Sequence, residues 1–357
     1  MTISLSLFFF ADDAANASRS RYQLLLDASR FADERGFAAV WTPERHFHHF
    51  GGAYPNPAVA GAAIAARTKR IGIRAGSVVA PLQDPLRIAE EWAVVDNLSG
   101  GRVGISFASG WNAVDFVLAP DSYESRRTLL FERIEQVRSL WRGEELERRD
   151  GRGRAVAVRS YPRPLQGELP VWVTSVGTPH TARLAGAIGA RLLTHLTHQG
   201  ASDLATRIAD YRASYRNNGT RTEEGYVTLM VHTFVGADDE FVRERLRAPM
   251  HEYLRSSLDL RGTSAGQSVE DALGSPSANT EFLVERAFER YLADSALFGS
   301  PNTCAALLRK LESMGVDEVA CLIDFGMDHD EIMSSLELLS SLIPLAPPSR
   351  ERDNARI

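Results

Sequence analysis

Short apolar runs alternate with longer stretches whose apolar residues recur at helical spacing. Runs at 3–10, 37–41, 71–75, 103–108, 171–174, 191–195, 226–235 and 318–324 read as eight buried strands. The segments between them read as helices, at 19–35, 57–67, 85–98, 123–141, 179–188, 204–216, 239–254, 303–314 and 330–342. In the first of these, Leu24, Leu25, Ala28, Phe31 and Ala32 fall on one helical face. Glycines at 100 and 101 supply a left-handed end for the third. Eight strand-helix units predict an α/β fold, a (β/α)8 TIM barrel, as one domain over residues 1–345.

Three segments break the rhythm. Residues 150–161 alternate with period two and predict a hairpin excursion between barrel units. Residues 256–279, rich in Ser, Gly and Asp, read as a mobile insertion and a candidate active-site lid. The stretch 346–357, after Leu345 and with Pro347, Pro348 and mixed charges, reads as a disordered tail.

A net charge of -6 gives no reason to expect nucleic acid as a partner. Cys304 and Cys321 fit neither a disulfide framework nor a metal-ligand spacing, and read as inert core thiols in a reducing compartment. The apolar start lacks a basic region before it and runs directly into Asp12 and Asp13, so it reads as a strand rather than a signal peptide. No apolar stretch reaches the roughly 18 residues of a membrane span, and the expected location is the cytoplasm.

Candidate chemistry concentrates where strands end, as a barrel requires. The run 37–41 opens into Glu44, Arg45, His46, His48 and His49. Arginine can hold an anion through two donors and histidine can titrate near neutral pH. The competing readings are a structural ion pair, or a metal site that lacks a matching carboxylate pair elsewhere. Gly76 and Ser77, after the third strand, let a flat ligand approach the backbone. Ser109, Gly110, Trp111 and Asn112 follow the fourth, combining a stacking ring with hydrogen-bonding groups. Ser175, Gly177, Thr178 and Thr181 flank Pro179 at a helix start and form the best phosphate candidate, the alternative being a well-capped helix without ligand. Neither a Walker nor a Rossmann fingerprint is present. His195, Thr197 and His198 are expected to line the same pocket.

Taken together, these segments resemble the bacterial luciferase-like flavin monooxygenases over residues 2–345. The resemblance is carried by Gly36-Phe37 through Val40-Trp41, then Glu44, His46 and Phe47, and Asn56-Pro57. It continues in Pro85, Arg87, Ala89, Glu90 and Glu91, in Leu98-Ser99 and Gly101-Arg102, and in Gly299-Ser300-Pro301. The runs 108–112 and 194–196 look closest to the branch found in natural-product gene clusters.

The resemblance implies reduced FMN (FMNH2) delivered by a flavin reductase, with O2 as co-substrate. A flavin C4a-peroxide would then hydroxylate, or insert oxygen into, a small-molecule or carrier-protein-tethered substrate. It maps a non-proline cis peptide beneath the flavin onto Gly76-Ser77, and the phosphate turn onto Ser175, Gly177 and Thr178. It also implies a homodimer built on helices near the second and third units, where 59–66 is alanine-rich. Glu44, Arg45 and His46 become the catalytic candidates, His46 moving protons and Arg45 stabilising an anion, since an arginine is no base near pH 7. The chain departs from the light-emitting enzyme at Arg45, at Ala108 and at Ser109, where that enzyme carries histidine, a reactive cysteine and a phosphate-binding arginine. Light emission is therefore not expected, and phosphate contact falls to Arg183 or to the helix terminus alone. Two rivals share the fold: a dehydrogenase using the deazaflavin F420, and a non-catalytic barrel subunit.

Overall fold

The computed structural model describes residues 3–10, 22–176, 179–196, 201–217, 224–264 and 278–343. The strands in chain order are β1 (Ser4–Phe8), β2 (Ala39–Thr42), β3 (Gly72–Val79), β4 (Val103–Ala108), a surface hairpin of β5 (Leu146–Arg149) and β6 (Ala155–Val158), then β7 (Val171–Thr174), β8 (Arg191–His195), β9 (Val227–Val235), β10 (Leu297–Gly299) and β11 (Glu318–Leu322). Parallel pairing runs β11-β1-β2-β3-β4-β7-β8-β9, and β9 pairs back onto β11. That closure makes the eight-stranded barrel the alternation predicts. The short β10 pairs with the carboxyl end of β9.

Ten described helices accompany the strands: α1 (Gln23–Arg35), α2 (Pro57–Ala65), α3 (Pro85–Ser99), α4 (Arg126–Arg142), α5 (Pro179–Ala187), α6 (Ala201–Asn217), α7 (Asp239–Ser264), α8 (Ala278–Arg290), α9 (Pro301–Ser313) and α10 (His329–Ser340). Local chemistry sets several boundaries. Proline opens α2, α3 and α9, behind Asn56, Asp84 and Ser300, whose side chains accept backbone N–H bonds of the first turn. Left-handed Gly36, Gly100 and Gly143 end α1, α3 and α4. None of the described helices is long and apolar enough to cross a membrane.

Two expectations change. The hairpin starts earlier than predicted, at Leu146, because its first strand is mostly charged and hides the period-two signal. The segment 256–279 is not a loop from its start: α7 continues to Ser264 and α8 opens at Ala278, with 265–277 outside the described residues. Polar residues around it mask the buried Leu260 on this extension of α7. A π-helical turn, Tyr291–Ser295, follows α8. The expected tail at 346–357 also lies outside the described residues. Cys304 and Cys321 are buried and unbridged, and burial pushes both thiols up to about 12.

The barrel interior holds an ion pair. Glu318, fully buried at the start of β11, accepts from Arg74 Nη1 of β3 at 2.6 Å. Ser6 Oγ donates to it at 2.6 Å, and Trp41 Nε1 and Tyr226 Oη each donate at 3.0 Å. The Arg74 guanidinium lies beside the rings of Trp41 and Trp172, 5.1 and 4.7 Å from their centroids, and the two indoles meet edge to face at 5.2 Å. Burial pushes the Glu318 carboxyl up, but the Arg74 charge and these hydrogen bonds outweigh it and hold the group below the usual glutamate range.

Because folding lowers this pKa, the stabilisation is present above the ordinary glutamate range and is lost as pH falls through the folded value. Glu318→Gln removes the carboxylate that faces the buried Arg74 charge and is predicted to cost roughly 3–5 kcal/mol in urea unfolding. Removing both charges, as Arg74→Met with Glu318→Leu, is predicted to recover most of that loss. A Glu318→Gln protein as stable as the parent would refute the assignment.

Candidate active site

A cavity of about 900 Å³ opens at the carboxyl ends of the barrel strands. Every barrel strand contributes to it: Phe8 and Phe10, Glu44 and Arg45, Gly76 and Ser77, Ser109 to Trp111, Thr174 and Ser175, His195, Met230 and His232, and Leu322. The α7–α8 region closes one side with Tyr253, Leu254, Leu260, Val284 and Tyr291. Its charged and hydroxyl groups Glu44, Arg45, Ser77, Asp115 and Ser175 stand towards β2, β3, β4 and β7, and the side beneath the inserted helices is mostly apolar, with Ser257 and Arg290 as its polar members.

Glu44 ties the β2 end to its neighbours. Its Oε2 accepts from Val79 N at 2.7 Å, and its Oε1 from Gln83 Nε2 at 2.7 Å. His46 Nε2 meets the same Oε1 at 3.0 Å. Because the carboxylate is the common acceptor, Nε2 carries the His46 proton and Nδ1 is left as the ring's acceptor. His46 itself is not among the cavity-lining residues. His48 Nδ1 accepts from Phe50 N, and its ring stacks on His49 at 4.4 Å, so these two shape the loop.

Arg45 is 6% exposed and lies 3.5 Å from Asp115 through Nη1, with its guanidinium 5.1 Å from the Trp111 ring centroid. Its Nε and Nη2 are buried without a hydrogen-bond partner among the described residues. Burial lowers the Arg45 pKa against the opposing pull of Asp115. Burial likewise raises that of Asp115, more than Arg45, His46 and Asn112 lower it. The pair therefore carries charge at a cost that a further anion on Arg45 would reduce.

The Gly76–Ser77 peptide is cis. A Cβ on Gly76 would stand 2.6 Å from Phe8 Cε2 and 3.2 Å from Trp41 Cε3, so only glycine fits there. Ser77 Oγ makes a short hydrogen bond to Thr174 Oγ1, which also meets Ser106 Oγ at 2.7 Å. Ser109, Gly110 and a half-exposed Trp111 line the cavity. Asn112 does not: it is buried, and its Nδ2 donates to Asp115 Oδ1 at 2.7 Å while its Oδ1 accepts from Val114 N. Asn112 thus holds the partner of Arg45 in place.

On the phosphate side, Ser175 and Thr181 line the cavity, whereas Gly177 and Thr178 lie outside the described residues, as do Thr197 and His198. Arg183 is turned outward, where Nη1 bonds Asp210 Oδ2 at 3.1 Å. Among the described residues no cluster of His, Cys, Asp and Glu could hold a metal ion.

Two side chains that sequence reasoning missed stand at this site. Asp115 lies three residues beyond Asn112 on a short 3-10 turn, and that spacing was its available signal. His232 is a lone polar ring in the otherwise apolar β9, which by itself reads as a core histidine. Burial, with a smaller effect from His195, pushes its pKa down to about 3, so it is neutral at physiological pH.

Residues 1–318 match the profile of the luciferase-like monooxygenases. The oxygenase component of flavin-dependent trigonelline monooxygenase from Acinetobacter baylyi is 25% identical over 343 residues, 94% of this chain and 93% of that protein. Among solved structures, monooxygenase RslO1 from Streptomyces bottropensis superposes with a TM-score of 0.76 at 22% identity, covering 95% of this chain and 98% of that one. The oxygenating constituent of 3,6-diketocamphane monooxygenase from Pseudomonas putida, solved with FMN, gives 0.74 at 18% identity, covering 96% and 97%. The two structures, at these identities, speak to the fold, and the profile match speaks to descent. The chain belongs to the luciferase-like monooxygenase family.

Proposed function

We propose that this chain is the oxygenase component of a two-component, FMN-dependent monooxygenase of the cytoplasm. It takes reduced FMN from a separate reductase and uses O2 to hydroxylate, or insert oxygen into, an organic substrate. The observation that carries the reading is Arg45, a buried guanidinium with two nitrogens unpartnered among the described residues, on a cavity floored by a cis Gly76–Ser77 peptide.

The residues present fit a reduced flavin. The backbone at Gly76 and Ser77 offers a flat floor, and Arg45 offers donors to an anionic ring edge. Ser175, Thr181 and the amino end of α5 suit the phosphate, with no arginine required. When bound, reduced FMN supplies the two electrons that O2 needs to deliver one oxygen atom to a substrate and the other to water.

The chain's own residues do the rest. Arg45 stabilises negative charge in a site shielded from water, where such charge is costly without a partner. Glu44 holds His46, which stands outside the cavity lining, through Nε2 and leaves Nδ1 as that ring's acceptor. Asn112 and Asp115 set the guanidinium's position. The resemblance at 108–112 and 194–196 favours a natural-product intermediate as substrate, free or tethered to a carrier protein.

Rapid mixing of the chain and FMNH2 with O2 tests this. Flavin reoxidation is expected to be slower than for free FMNH2 and to proceed in spectrally distinct steps, while reduced F420 supports no O2 uptake. A trace superposable on free FMNH2, or O2-independent turnover of reduced F420, would remove the reading. Arg45→Met paired with Asp115→Asn, which leaves no unpaired buried charge, should speed the slow step by roughly 10²–10³, the usual cost of losing one stabilising donor. An unchanged rate would exclude Arg45 from that role.

The chain is further proposed to form a homodimer through α2 and α3. Val59 on α2 and Val94 and Leu98 on α3 are exposed apolar side chains on adjoining helices. Light scattering is expected to give twice the chain mass, and Leu98→Asp to give the single-chain mass. A monomeric parent would contradict the proposal.

A further inference from the structure

The cavity has two ends of different chemistry, and the flavin reading uses only the polar one. At the other end His232, 3% exposed, projects from β9 into a group of aromatic rings. Tyr253 and Tyr291 stand edge-on with centroids 4.9 Å away, and Phe325 lies at 5.6 Å. Leu254, Leu260 and Val284 continue a mostly apolar wall, of which Ser257 and Arg290 are the polar members. Nothing in that wall calls for an imidazole where a phenylalanine would pack as well.

A core histidine ordinarily has both nitrogens engaged. Here Nε2 is buried and has no hydrogen-bond partner among the described residues. The residue facing it is also unusual in its backbone, since Tyr291 opens the π-helical turn after α8. Such turns cluster at functional sites. A histidine with an orphaned buried nitrogen and a tyrosine that opens a π-helical turn thus line the same cavity, ring against ring.

We infer that the apolar end of the cavity is the substrate chamber, and that His232 positions there an apolar, ring-bearing substrate through one hydrogen bond to its hydroxyl. This rests on the cavity being the oxygenation site, and it names the kind of substrate that site takes. Ring-on-ring contacts with Tyr253 and Tyr291 set the plane of the molecule, and the hydroxyl sets its register. A hydroxyl both donates and accepts, so it pairs with either tautomer of the neutral ring. His232 is a positioning residue in this scheme and takes no part in oxygen transfer.

The test uses the full chain without added flavin and two probes of equal shape, 2-naphthol and 2-methylnaphthalene, titrated calorimetrically. The parent is expected to bind the naphthol about tenfold more tightly, the scale of one hydrogen bond to an otherwise unpaired buried group. His232→Phe keeps the aromatic packing and should bring the two affinities together, and His232→Gln, which retains a hydrogen-bonding group, should restore part of the preference. Equal binding of the two probes by the parent, no binding of either, or an undiminished preference in His232→Phe would each overturn the inference. FMNH2 affinity, measured on the same proteins, should be the same in His232→Phe as in the parent, and a large loss there would place His232 on the flavin instead. A parent that discriminates between the probes yet fails to bind FMNH2 would support the chamber and sink the flavin reading alone.

Discussion

A charge inside a barrel of eight short strands must be matched where it stands, because water cannot reach it. The Arg74–Glu318 pair meets that condition with contacts from β1, β2, β3 and β11, and from Tyr226 just ahead of β9. Two indoles, set edge to face, lie against the guanidinium as well. The interior is thereby a fixed polar hub in an apolar shell rather than a purely greasy core. A pair of this kind adds less to stability than to register, since each partner is expensive if the strands slip.

The second buried pair follows the opposite logic. Arg45 and Asp115 are as deeply buried, yet they meet at 3.5 Å through a single nitrogen. The other two guanidinium nitrogens have no partner among the described residues. A buried arginine–carboxylate pair thus serves two ends. At Arg74 the protein completes the coordination of the charge, and at Arg45 it stops short and leaves donors facing a cavity. That incompleteness distinguishes a group kept for a ligand from one kept for the fold.

Much of this was legible in the sequence. The strand-helix rhythm reports burial on two faces, a local property, so the eight barrel strands could be placed to within a few residues. Chemistry at strand ends was legible for the same reason, because apolar runs stop abruptly at Glu44, Ser109 and Ser175. What stayed hidden depends on contacts between distant segments. Asn112 looked like a pocket residue until its amide was found on Asp115. His232 looked like core until its nitrogen was found without a partner among the described residues. Residues 256–264 looked like loop because their polar composition outweighs a helical face that shows only against the barrel. The phosphate turn at Gly177 and Thr178 lies outside the described residues, and its role stays with the resemblance.

One indole ring carries a consequence for how this fold can vary. Trp41 donates to Glu318 and Ser6 through Nε1, while its Cε3 edge lies where any side chain at Gly76 would have to go. The charge hub and the cavity floor are therefore two surfaces of the same rigid plate. Substitutions that retune the hub must move that plate, and substitutions that reshape the floor must push against it. Drift in the deep interior and drift at the floor are mechanically yoked.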